Sequence, residues 1–97
     1  MPIQHIVLFE PKDGASDADI KAAMDAVAAV KENVPGVLDC KTGENITDRA
    51  PGVKYAAVVT LEDRDALAAY GPHPEHQKVV ELLKVAMESW TVVDFEE

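Results

Sequence analysis

The segment Tyr70-Gly71-Pro72-His73-Pro74-Glu75-His76-Gln77 gathers two of the chain's three histidines and one of its two tyrosines around a helix break. Imidazole titrates near neutral pH and a phenol donates a strong hydrogen bond, so these are residue types that proton transfer requires. Pro74 suits the first helical position, where its missing N–H costs nothing; His73 is then the cap, and His76 sits in the first turn. The positive end of a helix disfavours imidazolium, which favours a neutral, proton-accepting His76, while Glu75 and the negative chain push the other way. Tyr70, just before the break, is placed to orient His76 or to donate to a developing enolate, the pairing that an enolisation or intramolecular aldol step needs. The same residues also have an architectural reading, with Tyr70 an anchor at a helix end, His73 a cap and His76 a half-buried group satisfied by backbone.

His5, the third histidine, stands mid-strand with Val7 and Phe9, where a core role and a ligand contact are both open. No metal is expected, because a His-x-x-His pair at a helix start does not put both side chains squarely on one face and no third ligand is evident. Cys40 lacks a basic neighbour in sequence that would activate it as a nucleophile. Met87 and Trp90 extend a helical apolar stripe and read as core. No Gly-rich phosphate loop and no Ser/His/Asp pattern is present, so no cofactor is expected.

These groups need elements to hold them. Ile3 to Phe9, rich in β-branched residues and ending at Glu10-Pro11-Lys12-Asp13-Gly14, reads as a strand. Ser16 caps a helix whose apolar positions Ile20, Met24, Val27, Val30 and Val34 recur every three or four residues until Pro35-Gly36 stops it. Val37 to Glu44 alternates as an edge strand, a polar loop runs to Gly52, and Tyr55 to Leu61 is a third strand. A short helix from about Asp63 to Tyr70 breaks at Pro72 and Pro74. A second helical stretch then carries Val79, Val80, Leu83, Met87 and Trp90 along one face, and Thr91 to Phe95 closes as a fourth strand.

The order β-α-β-β-α-β predicts an α+β, ferredoxin-like fold with two helices packed on one face of a four-stranded antiparallel sheet. Strand one presents His5, Val7 and Phe9 on one side and Ile6 and Leu8 on the other, and strand three likewise sets Tyr55, Ala57, Val59 and Leu61 against Ala56, Val58 and Thr60. Both faces are largely apolar, yet the helices cover one of them. The other is expected to pack against a second copy, giving a homodimer through the sheet faces.

Composition narrows the partners. The 97 residues, 47% of them hydrophobic, suit one domain over residues 1–97 with one core. Eighteen acidic against nine basic residues give a net charge of −9, which repels nucleic acid and anionic membrane surfaces. A single cysteine, and an amino-terminal apolar run too short for a signal core or a membrane span, point to the cytoplasm. Asn45-Ile46-Thr47 is then a chance sequon.

The segments His5-Ile6-Val7-Leu8-Phe9, Val34-Pro35-Gly36-Val37, Gly43-Glu44-Asn45, Tyr70 through Val80, and Val93-Asp94-Phe95 occur in an order that resembles the stress-responsive α/β-barrel (Dabb) family. The resemblance implies a dimeric α/β barrel with a small apolar cavity between sheet and helices. One plant branch consists of polyketide cyclases working by aldol chemistry, and its catalytic tyrosine and histidine correspond to Tyr70 and His76. His5 matches a cavity histidine of that branch, whereas another of its histidines corresponds to Ala57 and an aromatic hydroxyl of its first helix falls near Val27. Val7, Phe9, Val27 and Ala57 are thereby expected to line the ligand site with His5. Four roles stay open: a cyclase or isomerase acting on a keto or acyl group, a ligand-binding or stress protein without turnover, a structural dimer, and a cofactor-independent monooxygenase, the chemistry of a related barrel family.

Overall fold

β-Branched and aromatic side chains dominate the first and third extended segments, and the two pair along their full lengths. In the computed structural model, which describes residues 1–97, β1 (Ile3–Pro11) lies antiparallel to β3 (Tyr55–Leu61) and to β4 (Met87–Glu96), while β2 (Val37–Glu44) pairs with β3. The sheet order is β2-β3-β1-β4, so the two strands richest in apolar residues occupy its centre. Between them run α1 (Asp17–Ala28), a single turn α2 (Val30–Asn33), α3 (Arg64–Tyr70) and α4 (Pro74–Ala86). This is the ferredoxin-like arrangement. No helix is long and apolar enough to cross a membrane.

Side-chain alternation decides which sheet face the helices cover. Val7, Phe9, Ala57, Val59 and Leu61 are all buried, and they meet Ala23, Val27 and Val30 from the first helical layer and Val79, Leu83 and Ala86 from α4. The opposite face holds Ile6, Leu8 and Ala56 half-buried, with Val58, Val93 and Phe95 exposed at 36%, 52% and 49%. An apolar sheet face thus lies open in the single chain.

Helix starts follow local chemistry. The Ser16 hydroxyl accepts the Asp19 N–H at 3.1 Å, the Asp63 carboxylate accepts the Ala66 N–H at 2.8 Å, and Asp17, Asp19 and Asp65 add negative charge to first turns. Two boundaries depart from the sequence-based expectation. The first helix does not run unbroken to Val34: it ends at Ala28 and resumes as α2, although Val30 and Val34 keep their place in the core. Met87 and Trp90 belong to β4 and not to a helical stripe, because α4 stops at Ala86 and passes into the strand with no loop. Met87 is nevertheless core, at 1% exposure, and Trp90 packs against the core cluster.

At the turn before β2, Gly36 has φ +88°, and a Cβ built there would stand 2.9 Å from the Ala66 methyl. Its carbonyl accepts the Glu62 N–H at 2.9 Å. The start of α3 is seated directly on this glycine.

Cys40 lies half-buried on β2, and its thiol donates to the Val27 carbonyl at 3.3 Å. Burial, with Asp39 and Glu32 adding, pushes the thiol up to about 11. Alkylation of Cys40 by iodoacetamide near pH 8 is therefore expected to run roughly a hundredfold slower in the folded protein than in urea, following the thiolate fraction. Equal rates in a time course read by mass spectrometry would show the thiol to be unprotected.

Candidate functional site

The break between α3 and α4 assembles the site. Tyr70 is the last residue of α3, and Gly71 and Pro72 turn the chain before Pro74 opens α4. His73 caps α4, its Nδ1 accepting the Glu75 N–H at 3.1 Å. His76 falls in the first turn, where its Nδ1 lies 3.0 Å from the Gly71 carbonyl oxygen. A carbonyl accepts only, so the neutral ring carries its proton on Nδ1 and its lone pair on Nε2. The same carbonyl accepts the Gln77 side-chain amide at 2.7 Å.

Tyr70 stands between two imidazoles. Its ring centroid is 4.3 Å from that of His76, tilted by 50°, and 5.4 Å from that of His5, edge-on at 71°. His5 comes from β1, and on the neighbouring strand Asp94 is its direct cross-strand partner. The Asp94 carboxylate lies 2.5 Å from His5 Nδ1, which fixes that ring with its proton toward Asp94 and Nε2 free.

The three rings border a cavity of about 110 Å³ between the sheet and α4. Val7 and Phe9 of β1 and Val59 of β3 form its floor, Val27 of α1 one side, Val79, Val80 and Leu83 of α4 its roof, and Trp90 and Val92 of β4 its far edge. No Lys, Arg, Asp or Glu lines it. The Tyr70 hydroxyl and the two Nε2 atoms have no hydrogen-bond partner in the chain, yet no buried side-chain N or O atom is left unpaired. All three polar atoms therefore reach accessible space.

Of the residues singled out from sequence, His5, Val7, Phe9, Val27, Tyr70 and His76 meet at this cavity. Ala57 does not: it is buried at 1% opposite Val7, and its methyl is covered by neighbouring core residues. Sequence reasoning missed Asp94, the partner of His5, and the walls formed by Val59, Val79, Val80, Leu83, Trp90 and Val92. The β1–β4 register that sets Asp94 opposite His5 is a property of the folded sheet, and no local pattern in the residues signals it.

Electrostatics separates the two ends of the Tyr70–His76 pair. Burial holds the Tyr70 phenol well above its ordinary range, with the charge of the Cys40 thiolate adding, so it remains a donor. Burial also pulls the His76 imidazole below its usual 6.5, opposed by the Gly71 carbonyl and aided by the positive charges of His5 and His73. Desolvation is thus the leading cause, where the sequence had suggested the helix end. As pH falls, the unfolded chain binds this proton first. Folding stability from this group is present above 6.5 and is lost as pH drops through the lowered midpoint. An NMR titration of the His76 ring is expected to show a midpoint below 6.5, and one at or above that value would contradict a desolvated imidazole.

A family model described as the stress responsive A/B barrel domain (Dabb) matches residues 3–97. The chain belongs to this family. An uncharacterized protein of Streptomyces coelicolor is 30% identical over 96 residues, covering 97% of this chain and 98% of its own length. Among solved structures, a dimeric ferredoxin-like protein of unknown function from Jannaschia is 26% identical, with a TM-score of 0.83 and complete coverage of both chains. Hydroxynitrile lyase from Passiflora edulis superposes with a TM-score of 0.88 over 97% of this Dabb chain and 91% of its own, at 19% identity, a likeness of fold.

Proposed function

We propose that the cavity binds a small carbonyl compound and that His76 Nε2 serves as the base in an enolisation-type step, with Tyr70 as hydrogen-bond donor to the carbonyl oxygen. The carrying observation is the Gly71 carbonyl, which holds the His76 proton on Nδ1 and leaves Nε2 as the basic atom beside a protonated phenol. In this reading Nε2 removes an α-proton, the C–H electron pair forms the enol double bond, and the carbonyl oxygen gathers charge against the Tyr70 O–H. Return of the proton at the same carbon gives exchange. Return at another carbon gives isomerisation, and attack of the enol carbon on a second carbonyl in the same molecule, whose π pair moves to its oxygen and takes the proton back from His76 Nε2, gives aldol cyclisation.

Size limits the ligand. A cavity of about 150 Å³ lined by apolar side chains accepts benzene, and the 110 Å³ here encloses no more than a ring of that class. A long linear polyketide would have to project through the mouth. The hydroxynitrile lyase neighbour adds support from fold alone, as a catalyst built on the same frame.

The chain is further read as a homodimer joined through Ile6, Leu8, Val58, Val93 and Phe95, supported by the open apolar face and by the dimeric description of the Jannaschia structure. Native mass spectrometry reports the subunit count directly. The span of the family match supports a single domain, and the lone unpaired thiol supports a cytoplasmic location.

The test of the chemistry is deuterium exchange at the α-carbon of cyclopentanone in D2O, followed by proton NMR with and without the protein. Saturable acceleration is expected. Ketone-induced shifts of cavity resonances without any acceleration would replace turnover by simple binding.

A further inference from the structure

Beyond the presence of a ligand lies the question of its charge and its hydrogen-bonding sense, and the cavity's polar atoms answer both. His5 commits its Nδ1 proton to the Asp94 carboxylate, and His76 commits its own to the Gly71 carbonyl. What each ring turns to accessible space is an acceptor. The Tyr70 hydroxyl and the Trp90 indole N–H are the side-chain donors among the lining residues, and the rest, the two imidazoles apart, are aliphatic or phenyl side chains. The lining therefore carries two imidazole acceptors that no group of the chain satisfies, beside the Tyr70 and Trp90 donors.

We infer that the cavity selects an uncharged, ring-sized molecule carrying a hydroxyl that donates a hydrogen bond, such as a phenol or the enol form of a cyclic ketone. A plain ketone accepts only, so it leaves both imidazole acceptors without a donor in an apolar surround. A hydroxyl satisfies one of them and still accepts from Tyr70. An anion fares worse, because no Lys or Arg lines the cavity, the Asp94 carboxylate stands against His5, and the chain as a whole carries −9. Carboxylates and phosphate-bearing thioesters are thereby disfavoured. This inference rests on the reading of the cavity as a ligand site and is independent of turnover there. It adds a reason for enol chemistry: the arrangement matches the product of proton removal better than the ketone that precedes it.

Phenol, anisole and benzoate share a ring and differ in donor and charge, so they test the inference by NMR titration of the folded, full-length protein. Phenol is expected to bind at least about tenfold more tightly than anisole, the worth of one good hydrogen bond in a dry site, and benzoate more weakly than either. In His5→Phe and His76→Phe, each first shown to keep the wild-type circular dichroism, the preference for phenol over anisole is expected to shrink. Anisole matching phenol, benzoate binding as well as phenol, or no binding by any of the three at millimolar concentration would each overturn the inference. Because phenol undergoes no α-proton exchange, these outcomes are read separately from the cyclopentanone experiment.

Discussion

His76→Phe is expected to abolish the acceleration of α-proton exchange, a loss of about 10²–10⁴-fold, while the protein stays folded. Phenylalanine keeps a planar ring against Tyr70, whose centroid lies 4.3 Å away, and so preserves most of the packing. The Gly71 carbonyl loses one donor yet keeps the Gln77 amide at 2.7 Å, so the helix break retains a partner for its exposed oxygen. The basic lone pair is lost together with the Nδ1–H bond, which the Gln77 amide backs up. Exchange that continues at the wild-type rate in this variant would take the base role from His76 and leave it the architectural one, a backbone-satisfied ring at the start of α4.

Gly36→Ala is expected to destabilise the fold by about 3 kcal/mol, the sum of a positive-φ backbone and an overpacked contact. For a domain of this size that is a fall of roughly 15 °C in Tm. The backbone part arises because φ +88° is unfavourable for any residue with a Cβ, and the contact part because that Cβ meets the Ala66 methyl at 2.9 Å. Gly14 separates the two. Its φ of +79° imposes the same kind of strain, but nothing lies within 4 Å of its added Cβ, so Gly14→Ala is expected to cost only about 1 kcal/mol. Equal losses for the two variants in thermal unfolding would deny that α3 is seated on Gly36. If the contact holds, Gly36→Ala also displaces Tyr70 at the far end of α3 and weakens ligand binding before it unfolds the protein.

Local chemistry explains why some features were legible in the residues and others were not. Pro72 and Pro74 have fixed backbone consequences, so the helix break, the His73 cap and the first-turn placement of His76 could be read directly. Strict alternation in β1 and β3 likewise assigned their two faces, and the element order carried the ferredoxin-like topology. The start of β4 was hidden because Leu83, Met87 and Trp90 continue helical spacing while no glycine or proline marks the change at Ala86. The interruption at Ala29 also lacks a breaker residue. Asp94 was invisible as a site residue because its contact with His5 depends on a register between strands some ninety residues apart, which no local pattern encodes. Ala57 entered by resemblance, and its small side chain buried opposite Val7 shows that a matched position need not reach the cavity.

The direct passage of α4 into β4 has a consequence for how this cavity can change. Its roof and its far edge are consecutive pieces of one chain with no loop between Ala86 and Met87, while the longest connection, from Asn45 to Lys54, joins β2 to β3 and contributes nothing to the lining. Insertions and deletions, the usual means of reshaping a pocket, have no place to act on that wall. New ligand preferences on this frame must come from side-chain exchange at positions such as Val80, Trp90 and Val92, a few methyl groups or one ring at a time.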